Sequence, residues 1–177
     1  MIEEYKNTFN DEGVAEVKAS IVSSYDSERE VTEEEFAHFI GRNAKYYIER
    51  FKKFKINGVD KFSVTWLWPP FFFSCFWMAY RKMYIWAIGA LVLETIFYSV
   101  HYLFTILFKV LFAIAGNYLY YKHTKRKILR LKTTRTFSDS SEMLTALERK
   151  GGVNYWLALI SIAFYILGII SLLENLE

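Results

Sequence analysis

The chain has 177 residues, of which 53% are hydrophobic, 19% aromatic and 23% charged, with a formal net charge of +3. Its apolar residues are piled into blocks at 62–80, 83–121 and 153–173 and do not recur at periods of 2 or 3.6 throughout, which argues against one soluble core and for membrane segments. A single cysteine, Cys75, excludes an intramolecular disulfide, and without a CxxC or Cys/His cluster there is no zinc signature and no implied cofactor.

Residues 1–31 read as an acidic flexible arm, with Glu3, Glu4, Asp11, Glu12, Glu16, Asp26, Glu28 and Glu30 against Lys6, Lys18 and Arg29. No short apolar core follows a basic start, so the arm does not read as a signal peptide. Val14, Val17, Ile21 and Val22 fall at helical spacing and suit a short, weakly amphipathic helix within it.

Residues 32–61 read as a basic amphipathic helix on the cytoplasmic side. Thr32 and Glu35 form a capping box, in which the hydroxyl accepts from an orphan N–H and the carboxylate reaches back to the cap. Phe36, Phe39, Ile40, Tyr47, Phe51 and Phe54 recur in steps of three and four as one stripe, opposite Arg42, Lys45, Arg50, Lys52 and Lys53. Such a helix either lies on the membrane with its basic face toward anionic headgroups or packs its stripe against protein. Asn57-Gly58 reads as a turn.

The segment 62–82 carries no charge between Phe62 and Tyr80, and the stretch from Trp66 to Trp86 holds four of the five tryptophans, both prolines and the cysteine. Together YYIERFKKFKING, TWLWPPFFFSCFWMAYRKMYIWA and GNYLYYKHTKRKI resemble the bacterial integral-membrane family called domain of unknown function 2628. In that family an aromatic stretch W-x-x-F-F-F-x-x-F-W-x-x-Y-R-K-M precedes the spans and an N-x-x-Y motif follows them. The resemblance covers roughly residues 33–130; where the family places Gly-Pro, this chain has Ser74-Cys75, with its prolines earlier at Pro69-Pro70. It implies a small bacterial membrane protein and brings no activity with it.

As one helix, residues 83–121 would reach roughly 58 Å at 1.5 Å per residue, about twice the hydrocarbon thickness. Two spans with a turn near Ser99–Tyr102 fit better. The basic residues from Arg42 to Lys61 and from Lys122 to Arg135 belong on the cytoplasmic side, which requires an even number of crossings between them. If 83–100 and 103–121 both cross, the aromatic segment must dip in and return, as consecutive prolines at Pro69-Pro70 favour. The alternative has 62–80 crossing and 83–121 as a single overlong helix, which exports Arg81-Lys82.

Residues 122–152 read as a basic cytoplasmic linker ending in a short helix, opened by Asp139-x-x-Glu142 and stopped by Gly151-Gly152. Residues 153–173 form an uncharged third span. The expected fold class is thus an all-α membrane protein: three transmembrane helices, a proline-broken re-entrant or interfacial aromatic segment and a cytoplasmic amphipathic helix. The expected location is the bacterial cytoplasmic membrane, with the N-terminus inside and the C-terminus outside.

Glu94 and Lys109 are ionisable residues inside the apolar blocks, and a turn centred near His101 brings them to one depth as an intramembrane ion pair. Lys125, Arg126, Lys127 and Arg130 are candidate contacts for anionic lipid of the cytoplasmic leaflet, beyond their topological role. His38 and His123 read as surface residues, too far apart for a metal motif. No Ser/His/Asp grouping, HExxH, phosphate loop or paired carboxylates appear, and no nucleic-acid motif accompanies the basic charge. The reading is a non-enzymatic membrane protein that contacts lipid or a partner protein; the alternative is a small oligomeric transport component.

Overall fold

The computed structural model describes residues 18, 30–56 and 59–174. The chain divides into two units, Met1–Thr32 and Glu33–Glu177, and the elements below belong to the second. The expected helix of the acidic arm, the Asn57-Gly58 turn and the acidic end at Glu177 lie outside the described residues. In order come α1 (Glu33–Ile40), α2 (Ala44–Phe51), a 3-10 turn (Lys52–Phe54), β1 (Lys55–Ile56), β2 (Val59–Asp60), α3 (Trp68–Tyr80), α4 (Tyr84–Val100), α5 (Tyr102–Thr134), α6 (Ser140–Lys150) and α7 (Tyr155–Glu174). Apart from the antiparallel ladder of β1 and β2, which sets Lys55 opposite Asp60, the architecture is all-helical.

The axis is α5, whose 33 residues run on without a break from the apolar block into the basic one. The long helix is legible in composition: no proline interrupts it, and its only glycine, Gly116, is accommodated. Its N-cap is His101, in extended conformation, whose Nδ1 accepts from Leu103 N at 3.2 Å. That break separates α4 from α5 where the turn is expected, so 83–121 is a hairpin and not one overlong helix.

The amphipathic element is two helices instead of the single expected one. Gly41, at φ +75, ends α1, with its N–H donating to Ala37 O at 2.9 Å. The left-handed conformation suits glycine, which lacks the Cβ that would clash there. The stripe survives the break and is buried: Phe36, Phe39, Ile40, Tyr47, Phe51 and Phe54 all turn inward. Its counterpart is the aromatic face of α5, with ring centroids 4.9 Å apart for Tyr47 and Tyr120, 5.2 Å for Phe51 and Tyr121, and 5.3 Å for Phe54 and Tyr118. Of the two sequence readings of this stripe, packing against protein is therefore the one observed, and the protein is the chain itself.

The aromatic segment runs out along α5 and back. Outbound it is extended: the Phe62 ring lies 5.3 Å from that of Tyr118, Asn117 Nδ2 donates to Thr65 Oγ1 at 3.1 Å, and Leu67 N donates to Ala113 O at 2.9 Å. It returns as α3, with Trp77 6.0 Å from the Tyr120 ring and the Arg81 guanidinium reaching the Tyr120 hydroxyl. Both ends, at Asp60 and Arg81, therefore sit beside Tyr120 and Tyr121, while the tip at Leu67 lies eight residues back along α5, roughly 12 Å at 1.5 Å per residue.

The prolines do not break this segment as expected. Pro69 and Pro70 occupy the first turn of α3, where a missing N–H costs nothing because it has no intrahelical acceptor. The kink falls at Ser74 (φ 37, ψ −109), four residues beyond Pro70. On its way back α3 packs against α4, α5 and α7.

Among the described residues, one helix, Tyr102–Thr134, is long and apolar enough to cross a bilayer; Tyr84–Val100 is apolar but shorter. The all-helical expectation is met at this level; of the three expected crossings, α5 alone passes the test of length and composition among the described residues.

Candidate functional site

Two of the sequence-predicted site residues meet across the α4–α5 hairpin. Lys109 Nζ lies 3.2 Å from Glu94 Oε1, with side chains 29% and 15% exposed. The approach is Coulombic, since Glu94 Oε1 makes no aligned hydrogen bond. Phe97, one turn nearer the hairpin tip than Glu94, and Phe108, the neighbour of Lys109, pack with centroids 5.4 Å apart.

The four predicted lipid contacts divide. Lys125 turns inward, its Nζ 2.7 Å from Asp60 Oδ1; Lys122 Nζ takes Asp60 Oδ2 at 3.0 Å, and the Tyr121 hydroxyl donates to Oδ1 at 2.7 Å. Burial pushes the Asp60 carboxyl up, but the hydrogen bonds from Lys125, Tyr121 and Lys122 outweigh it and hold the pKa at about 2. Lys125 is thus a tie between the β ladder and α5. Its partner stands 65 positions away in sequence, which no local pattern indicates. Arg126, Lys127 and Arg130 remain exposed.

Lys127 and Arg130 open onto a cavity of about 560 Å³ that the sequence did not reveal. Three stretches converge on it. The α3–α4 corner contributes Arg81, Lys82 and Tyr84; α5 contributes His123, Lys127, Arg130, Leu131 and Arg135; and the α6–α7 turn contributes Lys150, Gly151 and Gly152, with Phe39 of α1 behind. Among the described residues no Asp or Glu lines it. Backbone ties hold the walls: Gly152 N donates to Phe39 O at 2.7 Å, Asn154 N donates to Tyr80 O at 2.8 Å, and the Lys82 ammonium donates to Gly151 O. A Cβ on Gly151 would overlap the Phe39 carbonyl, so only glycine fits between α6 and α1.

The charges of this cavity are poorly compensated. Arg135 Nη2 pairs with Glu142 at 2.9 Å. Arg81, Lys127, Arg130 and Lys150 have no carboxylate partner among the described residues. Arg81 is the extreme case, only 4% exposed. Its guanidinium faces the rings of Tyr47 at 4.5 Å, Tyr120 at 5.1 Å and Tyr80 at 5.5 Å, Nη1 reaches the Tyr120 hydroxyl only at 3.5 Å, and Nε has no partner. Cation–π contacts of about 0.5–2 kcal/mol each offset part of a desolvation penalty of several kcal/mol for a buried ion. Burial keeps the Tyr47 hydroxyl above its ordinary value despite Arg81 beside it, so that ring supplies no negative charge near neutral pH.

His123, expected at the surface, is half-buried in the same wall. Burial, then the charges of Lys127 and Arg126, lower its pKa to about 4, which leaves the imidazole neutral at pH 7. His38, the other expected surface histidine, pairs through Nδ1 with Glu148 Oε1 at 2.8 Å. A concave wall whose cations outnumber the carboxylates beside it concentrates a positive potential in the cavity.

In the sequence Arg81 and Lys82 mark only topology, although the Y-R-K-M motif contains both. Arg135 and Lys150 carried no signal beyond their charge.

No curated protein and no solved structure matches this chain. The buried stripe of α1 and α2, the out-and-back aromatic segment with its Arg81-Lys82 corner, and α5 as far as Arg126 all fall within residues 26–126, which the model of the protein family of unknown function DUF2628 matches, and the chain belongs to that family.

Proposed function

We propose that this chain is a non-enzymatic, multi-pass protein of the bacterial cytoplasmic membrane that binds anionic lipid headgroups at its cytoplasmic face. In this reading α4, α5 and α7 cross the bilayer, the aromatic segment enters from the cytoplasmic side and returns, and α1, α2 and α6 form a cap inside. The exposed apolar side chains of the three helices, among them Ile85, Ile88, Leu91, Leu103, Leu107, Phe164 and Leu167, support lipid contact. At 17 residues α4 is near the lower limit for a spanning helix.

The observation that carries the binding role is the basic cavity, which lies where α4 and α7 begin and therefore at headgroup level. Basic residues near an anionic surface contribute on the order of 1 kcal/mol each, and Arg126, Lys127 and Arg130 add exposed charge beside the opening. The test is native mass spectrometry of the full chain released from nanodiscs of mixed composition. Retention of anionic over zwitterionic lipid is expected, and indiscriminate retention would overturn the role.

A further inference from the structure

The cavity admits a narrower assignment of ligand, which rests on the anion-binding reading above: we propose that it takes a phosphate monoester, with Arg81 as the buried anchor of the phosphate. Arg81, Lys127, Arg130 and Lys150 are four cations without carboxylate partners among the described residues, converging from three parts of the chain on one space. A phosphate diester brings one negative charge and two free oxygens. A monoester brings nearly two charges at pH 7 and three free oxygens, which answers such a surplus better.

The anchor is already oriented. Arg81 is held by Tyr47, Tyr80 and Tyr120, with its Nε enclosed and unpartnered and its Nη1 making only a long bond, so its terminal nitrogens are the donors left for a ligand. A planar guanidinium fixed in this way offers its terminal N–H groups to a phosphate without losing further side-chain freedom. The cavity has room for more than a bare ion: about 560 Å³ lies within the roughly 300–1,000 Å³ of sites for small organic ligands. Phe39, Tyr84 and Leu131 provide apolar wall for the organic part. The phosphate monoester can come from a lipid whose headgroup is the phosphate itself or from a soluble metabolite, and the two are separable by experiment.

The full chain is placed in nanodiscs of zwitterionic lipid, doped with phosphatidic acid or with phosphatidylglycerol, and lipid occupancy is titrated; glycerol 3-phosphate is titrated separately against undoped discs. We expect phosphatidic acid to bind at least tenfold more tightly than phosphatidylglycerol if the source is lipid, or glycerol 3-phosphate to bind with phosphatidic acid excluded if it is soluble. Arg81→Lys keeps the charge but removes the fork, and should erase the monoester preference. Should that variant fail to fold, Lys127→Gln and Lys150→Gln, both at exposed positions, should each weaken monoester binding about threefold or more. Equal binding of both anionic lipids, with no effect of glycerol 3-phosphate, overturns the monoester assignment and leaves the anionic-lipid reading standing. No preference for any anion overturns both. A monoester preference that persists in folded Arg81→Lys removes Arg81 as the anchor.

Discussion

Pro70 lies directly over Gly116: a Cβ added to the glycine would stand 2.9 Å from Pro70 Cγ and 3.6 Å from Leu67 Cδ2. The tip of the out-and-back segment therefore rests on the one place in α5 where the helix has no side chain. Gly116→Ala gains about 1 kcal/mol of helix propensity but forces the rigid proline ring aside, at a cost of about 1–3 kcal/mol. We expect a net loss of about 1 kcal/mol, seen as a lower unfolding temperature in detergent, and a larger loss for Gly116→Leu. An unchanged midpoint for both would mean that the tip does not seat on α5.

The opposite sign is expected at Ser74. Its φ of 37 and ψ of −109 favour glycine, and its buried Oγ has no hydrogen-bond partner. Strain of about 1–3 kcal/mol at such a conformation exceeds the roughly 0.5–1 kcal/mol that glycine costs in chain entropy. Ser74→Gly should raise the midpoint by a few degrees, and a fall would show that the serine is relaxed there.

How far these relationships were legible depended on range. Local signals located elements: the break at His101, the Asp139 cap of α6 and the stop at Gly151 follow from composition and capping chemistry. The hydrophobic stripe of α1 and α2 was legible as a pattern, but periodicity cannot name the surface that covers it, and here that surface is the tyrosine ladder of α5. The break was expected at Pro69-Pro70 because proline is a helix breaker in the abstract; in the first turn it is an initiator, and the kink falls instead at Ser74. The cavity was illegible for a different reason. Arg81, Lys127 and Lys150 are distant in sequence, and only the meeting of three chain segments makes their charges one site.

Asp60 gives the protein an acid-sensitive tie. Its folded pKa of about 2 lies below the unfolded carboxylate value near 3.9, so its contribution is fully present above about pH 4 and is lost as pH falls toward 2. In Asp60→Asn this part of the acid response should vanish, and the variant should be less stable than the parent at pH 7 because Lys122 and Lys125 lose their counter-charge and one of its two acceptor oxygens. Unfolding midpoints measured at pH 2, 3, 4 and 7 decide it; parallel curves for the two proteins would remove Asp60 as the titrating tie.

For Glu94 and Lys109 the informative quantity is a difference of differences. Removing one partner leaves an ion at an apolar depth, a loss of several kcal/mol, whereas removing both leaves two neutral side chains that can still approach. Folded yield in detergent should fall more for Glu94→Gln or Lys109→Gln than for the double variant. Strictly additive losses would show that the 3.2 Å contact contributes no coupling.

Topology supplies the last test, because the hairpin tip and the basic cap stand about one bilayer apart. His101 and Tyr121 are twenty residues apart on α5, roughly 30 Å at 1.5 Å per residue, which matches the hydrocarbon thickness. The positive charge gathered at the Tyr121 end should keep that end inside. With Cys75 replaced by serine, single cysteines at Lys53, His101 and Arg126, all exposed positions, can be challenged with a membrane-impermeant maleimide in intact cells. Only His101→Cys should react before lysis, and Lys53→Cys and Arg126→Cys only after it. Reaction of all three from outside would mean that the α4–α5 hairpin does not cross the membrane. Protection of His101 with reaction of the other two would invert the arrangement and place the basic cavity on the outer face, away from the leaflet whose anionic lipids it is proposed to bind.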